Sequence, residues 1–208
     1  MGIGPFDPYV RIREKIGAAR KKFKDLEGNC CCLVLFNYYK PLVVLDWRFV
    51  YGAMLGNIAF RIRFSSETGA PLDPEFQQGF AGGGQMIPHP GAKPQNTTIS
   101  AVIVLSQFPV GQRRFNLEVR RRELQLGREL SWEEFWNAMQ SAKGTDLDLA
   151  LRQTRVVVNE NPDAVVPLHP DLFQGPYDER YGRKDGQIRR LFVGEQMERL
   201  EALELRNN

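Results

Sequence analysis

The seven residues from Cys30 to Phe36 (CCCLVLF) are apolar without interruption. A strand with one solvated face alternates, so an unbroken run predicts a strand covered on both faces, as at the centre of an α/β sheet. The residues before it name the cover. Ile12, Ile16, Ala19, Phe23 and Leu26 recur at spacings of four, three, four and three, the stripe of a helix lying on a core. Gly28-Asn29 stops that helix, because both residues accept the left-handed backbone of a helix end. Burying Leu33, Val34, Leu35 and Phe36 completely would stabilise the chain by roughly 1.5–3 kcal/mol each. That is large beside a net stability of about 5–15 kcal/mol.

The outer face of the same helix is basic. Arg11, Arg13, Lys15, Arg20, Lys21, Lys22 and Lys24 stand against Glu14, Asp25 and Glu27. Arg13, Arg20 and Lys24 share one side, with Lys21 and Lys22 beside them. Such a face neutralises phosphates, with binding that weakens as salt rises; it also serves simply as a solvated surface. A net charge of +3 decides nothing alone, so the distribution carries the argument.

A chain of 208 residues, 42% hydrophobic and 25% charged, is globular. No apolar run approaches the ~18–20 residues of a membrane span. The start, Met-Gly-Ile-Gly-Pro-Phe, has neither a signal-peptide pattern nor the hydroxyl residue of a myristoylation site. A cytoplasmic protein with no membrane partner is expected. Cys30, Cys31 and Cys32 are adjacent, so in a strand they point alternately to opposite faces and cannot share one metal. They are expected to be small buried hydrophobes.

Along the chain, residues 2–10 read as an irregular lead-in and Leu42–Leu45 as a short extended piece. Asp46 is placed to cap a helix over Trp47–Leu55, ended by Gly56-Asn57. Ile58–Phe64 alternates as a strand. Residues 65–95, rich in Gly and Pro, read as a long loop. Ile99–Leu105 predicts a second buried strand beside Cys30–Phe36. Ser131 and Glu134 form a capping box for a helix with Trp132, Phe135, Trp136 and Met139 on its apolar face, ending at Gly144. A short helix is expected over Leu147–Leu151, and a third strand, nearer an edge, over Arg155–Asn159. Residues 161–186 read as loop, and Gln187–Leu205 as a last amphipathic helix bearing Ile188, Leu191, Phe192, Leu200 and Leu203. The expected fold is a single α/β domain over 1–208, a mixed central sheet flanked by helices.

Few motifs carry chemistry. Gly82-Gly83-Gly84 lacks the Gly-Lys-Ser/Thr ending of a phosphate loop. His89 and His169 have no partner at metal-ligand spacing, and no Gly-x-Ser-x-Gly elbow surrounds Ser100 or Ser106. Asp46, at the end of an apolar segment, sits where open α/β sheets place catalytic acids. Asp178 and Glu179 fall in a loop. A Mg²⁺-dependent nuclease needs two or three acids and a nearby lysine, and no Asp…Glu-x-Lys set occurs at a usable spacing. Glu118-Val119-Arg120 is the nearest imitation and reads better as charged surface.

The runs RIREKIGAARKKFKDLEGNCCCLVLFN, VYGAMLGNIAF, NTTISAVIVL and RVVVNENPDAVVPLHPDLFQGPYDERYG resemble a group of bacterial proteins similar to the restriction-endonuclease-like, PD-(D/E)XK, superfamily. The resemblance spans about two thirds of the chain. It implies a partial restriction-endonuclease-like core, in which Ile12–Phe36 is the helix and strand that follow the metal-binding hairpin, with Lys21 or Lys22 as supporting base. The acidic hairpin itself would lie upstream of Met1. The expectation is a nuclease-like domain, incomplete or inactive, that binds DNA or RNA through Arg13, Arg20, Lys21, Lys22, Lys24, Arg120 and Arg121. The alternatives are a protein-interaction module using residues 65–95 and 161–182, and a nuclease for which Asp46, Glu14, Lys21 and Lys22 are the catalytic candidates. Mg²⁺ is expected as cofactor only for the last, and otherwise none.

Overall fold

A computed structural model describes residues 8–26, 28–37, 45–61, 65–68, 77–89 and 91–206. Helix α1 (Pro8–Phe23) starts inside the expected lead-in, with proline in its first turn, where an N–H would have no helical partner anyway. Strand β1 (Cys31–Asn37) follows a turn in which Gly28 takes φ 89°. The extended piece expected at 42–45 falls outside the described residues up to 44. Asp46 caps α2 (Trp47–Leu55), its Oδ1 accepting from the Arg48 N–H at 3.0 Å. Next come β2 (Gly56–Arg61), β3 (Gln77–Gly83), β4 (Ile99–Phe108), α3 (Val110–Leu126), α4 (Trp132–Ala142), β5 (Gln153–Glu160), β6 (Glu179–Lys184), β7 (Gln187–Val193) and α5 (Glu195–Arg206).

Five strands form one mixed sheet in the order β1-β4-β5-β6-β7. β1 runs parallel to β4 and β5 parallel to β6, while the β4–β5 and β6–β7 pairs are antiparallel. β2 and β3 make a separate antiparallel pair. The class is therefore α/β with a mixed sheet, as the apolar runs predict.

Helices α1 and α2 cover one sheet face. Ile12, Ile16 and Ala19 pack with Val50, Met54 and Leu55 over Val102, Val104 and Val157. Tyr51, fully buried, donates its hydroxyl towards the carbonyls of Glu160 and Tyr181, each at 2.9 Å, and so fixes α2 across β5 and β6. On the other face Ala101, Ile103 and Val158 pack against Leu168. The loop carrying Leu168 is held by buried Arg180, which donates to the carbonyls of Leu168, His169 and Pro170, each at 2.8 Å, and pairs with Glu160.

Several expectations need correction. β1 has one strand neighbour among the described residues and stands at the sheet's edge, with Val34 40% and Phe36 69% exposed. Only Leu33 and Leu35 join the helix-covered core from its apolar run. Cys31 is buried, Cys32 half-buried and Cys30 exposed. β5, expected near an edge, is the central strand, because β6 and β7 arise from segments read as loop and helix. The 187–205 stretch breaks at Gly194, where an added Cβ would strike the carbonyls of Gly175 and Pro176. Leu26 is exposed, since α1 ends before it. Residues 77–83 pair as β3 rather than continuing the loop, and Gly84 of the glycine run serves packing: a Cβ there would land on the Met54 carbonyl. β2 ends at Arg61, and the expected continuation over 62–64 is outside the described residues. Residues 147–151 form turns, held by the Asp148 carboxylate accepting from the N–H groups of Gly144 and Ala150. The capping box of α4 is present, but Trp132 and Trp136 on its expected apolar face are exposed.

Candidate functional site

Two helices carry the cations singled out in the sequence, and their surroundings differ. On α1, Lys15, Arg20, Lys21 and Lys22 are exposed, as is Lys24 just beyond it, and none makes an ion pair among the described residues. Glu14, also exposed, is the lone acid of the helix. Arg13 departs from this group. It is half-buried and reaches the Gly52 carbonyl at 3.4 Å, so it tethers α1 to α2 rather than facing solvent.

On α3, Arg120, Arg121 and Arg122 are spoken for. Glu118 accepts from Arg121 through both oxygens at 2.8 Å and from Arg122 at 2.9 Å. Glu123 stands 3.8 Å from Arg120. The Arg121 hydrogen bond, joined by that of Arg122, lowers the Glu118 carboxyl to about 2 from its ordinary 4.5. The same happens at Arg128, whose hydrogen bond holds Glu134 at about 2.

Asp46 lies elsewhere, in a cleft between the sheet, α2, α3 and α5. β5 contributes Arg155 and Val157, β6 contributes Glu179 and Tyr181, and β7 contributes Arg190. The start of α2 adds Asp46 and Trp47, the first turn of α3 adds Arg113, and α5 adds Met197 and Glu201. Alternation explains the grouping: residues 155, 157, 179 and 181 are each two apart on their strands and share one face. Val157 pairs with Glu179 across β5 and β6.

Glu179 is the electrostatic hub. Only 2% of its side chain is exposed, and it pairs with Arg155 and with Arg190, the latter at 3.2 Å. Arg190 also binds both Glu201 oxygens, at 2.7 and 2.9 Å. The Tyr181 hydroxyl donates to Glu179 at 3.0 Å, and its ring stacks on Trp47 at 5.4 Å. Burial pushes the Tyr181 phenol up and the Arg155 guanidinium down from their ordinary values. The cleft encloses ≈ 250 Å³.

The arrangement does not suit Mg²⁺. Glu179 and Glu201 both accept from Arg190, and Asp46 is engaged as the α2 cap. No group of three or more His, Cys, Asp or Glu is placed to share a cation among the described residues. The cleft that holds Asp46 includes none of Glu14, Lys21 and Lys22. Asp178, the other loop acid, is structural: it accepts from the N–H groups of Val156 at 2.9 Å and Gly175 at 2.8 Å. Sequence reasoning missed Arg155, Tyr181, Arg190 and Glu201. An arginine directly before the apolar run Val156-Val157-Val158 was the available signal.

No protein-family model, curated protein or solved structure matches this chain. Among the described residues, no helix is long and apolar enough to cross a membrane.

Proposed function

We propose that the chain is a nucleic-acid-binding domain of nuclease-like architecture that does not itself cleave. The observation that carries this reading is the set of cations Lys15, Arg20, Lys21 and Lys22 on α1, all open to solvent and none in an ion pair among the described residues. Cations without internal partners are the ones free to replace the counterions of a phosphate backbone. The restriction-endonuclease-like relationship draws support from the order of a basic helix followed by an apolar strand in a mixed sheet. The commitment of Asp46, Glu179 and Glu201 to internal donors argues against hydrolysis through Mg²⁺.

Fluorescence anisotropy with labelled duplex DNA, single-stranded DNA and RNA tests binding, and gel analysis of the same samples with Mg²⁺ tests cleavage. Salt-sensitive binding with intact strands supports the proposal. Cleavage abolished by Asp46→Ala would replace it with an active nuclease. The competing reading, a protein-interaction module, is favoured by Trp132 and Trp136, exposed neighbours with ring centroids 6.1 Å apart. It gains if no nucleic acid binds at low salt.

A further inference from the structure

The cleft holds two guanidinium groups that the fold leaves under-coordinated, and the geometry points to a phosphate monoester as their ligand. Arg155 and Arg113 both lie over the Phe108 ring, at 5.6 and 5.0 Å from its centroid. Gathering two like charges on one ring costs Coulomb energy unless anions answer them. The protein's own answer is partial. Arg155 pairs with Glu179, yet its Nε is buried without a hydrogen-bond partner among the described residues. Arg113 has Glu204 at 3.4 Å on the rim, and its Nη1 points at Met197 Sδ, 3.9 Å away and a weak acceptor.

Arg113 and Arg155 line two adjoining cavities, ≈ 250 and ≈ 160 Å³, which also share Leu45 and Val157. The two differ in polarity. The smaller adds Ser106 and Gln107 and no carboxylate, so an oxyanion meets guanidinium, hydroxyl and amide groups there without repulsion. The larger adds the carboxylates of Asp46, Glu179 and Glu201, the Arg190 guanidinium and the stacked Trp47–Tyr181 pair. A phosphate seated in the smaller cavity therefore directs its ester group into the larger one, past the Trp47–Tyr181 stack. A carboxylate ligand is the poorer match, because Glu179 and Glu204 already offer that group. A tetrahedral oxyanion presents enough oxygens for donors arriving from separate elements. The place also fits: Ser106, Gln107 and Phe108 close the carboxyl end of β4, which runs parallel to β1, where open α/β sheets seat ligands. This inference stands on the cleft and does not depend on α1.

The test is calorimetric titration of the full chain with adenosine 5′-monophosphate, inorganic phosphate and adenosine. Saturable binding of the nucleotide, competition by phosphate, and no binding of adenosine are expected. Arg113→Gln, a partly exposed position, is expected to weaken nucleotide binding roughly tenfold or more while thermal unfolding is unchanged. Ser106→Ala should weaken it less. Absence of saturable binding by nucleotide and phosphate at concentrations up to about 10 mM overturns the site. So does unaltered binding in the folded Arg113→Gln variant. A 5′-phosphorylated oligonucleotide set against its 5′-hydroxyl form separates the two sources of the group. Preference for the phosphorylated strand assigns a strand end, and equal affinity assigns a free mononucleotide. Loss of strand binding in Lys21 or Lys22 variants bears on α1 alone, and loss of nucleotide binding in Arg113→Gln bears on the cleft alone.

Discussion

Helices α1 and α3 have similar raw charge and opposite availability. α3 carries Arg113, Arg114, Arg120, Arg121 and Arg122, but Glu118 and Glu123 sit three or four residues from the last three and take up their charge. α1 carries Arg20, Lys21 and Lys22 in its last turn with no acid one turn earlier, since positions 16–19 are Ile-Gly-Ala-Ala. The lesson is local. Cations that a helix sets one turn from a carboxylate are partly spent; Lys21 and Lys22 have Asp25 four and three residues on, but it lies beyond Phe23, the last residue of α1, and pairs with neither among the described residues. The helices differ inward too: α1 presses Ile12, Ile16 and Ala19 into the main core, while α3 buries only Val110, Gly111 and Phe115.

Substitutions that alter one helix and spare the other break or sharpen this contrast. The largest effect is expected in the core: Ile16→Ala should destabilise by about 2–5 kcal/mol in denaturant unfolding. Leu124→Ala on α3, at a site 54% exposed, should stay within about 0.5 kcal/mol. Similar losses in both would remove the claim that α1 is the anchored helix. A second comparison converts α3 into something like α1. Glu118→Gln releases Arg121 and Arg122, and duplex DNA affinity at low salt is expected to rise by about twofold. No rise would mean that α3 faces away from any strand.

The smallest effect is a pH dependence. The folded-state value of Glu118, and likewise of Glu134, lies at about 2 against an ordinary 4.5. A depressed carboxyl contributes stability above its unfolded value and loses it as pH falls through the folded one. The thermal midpoint should therefore decline between pH 4.5 and 2, and Glu118→Gln should flatten part of that decline. Both groups lie at the surface, half-buried, and pair with exposed arginines, so the contribution is small and shrinks in salt. An unchanged profile in the variant would show that the pairing is too weak to matter.

The availability of these charges was partly legible in the sequence. Spacing alone places Glu118 against Arg121 and Arg122, and the buried stripe of α1 follows its period of 3.6. The position of β1 was not legible in the same way. An uncharged run shows that neither face needs water, but edge or centre is decided by pairing with distant strands. β5 became central only because β6 and β7 exist. Ile188, Leu191, Phe192, Leu200 and Leu203 fit one helix stripe as well as a strand followed by a helix, and Gly194 was the single residue marking the break. The cleft was the least legible feature. Asp46, Arg155, Glu179 and Arg190 lie on four separate elements, and only the β5–β6–β7 register brings the last three together.

The measurement that bears most directly on the account is the salt dependence of duplex binding, with wild type, Lys21→Glu/Lys22→Glu and Arg120→Glu/Arg121→Glu compared by anisotropy. The α1 double variant is expected to lower affinity at every salt concentration and to flatten the log–log slope by roughly 2. The α3 variant should change the slope by less than about 1, because Arg120 and Arg121 already face Glu123 and Glu118. Equal changes in the two variants, or wild-type binding indifferent to salt, would contradict the assignment of α1 as the contact surface.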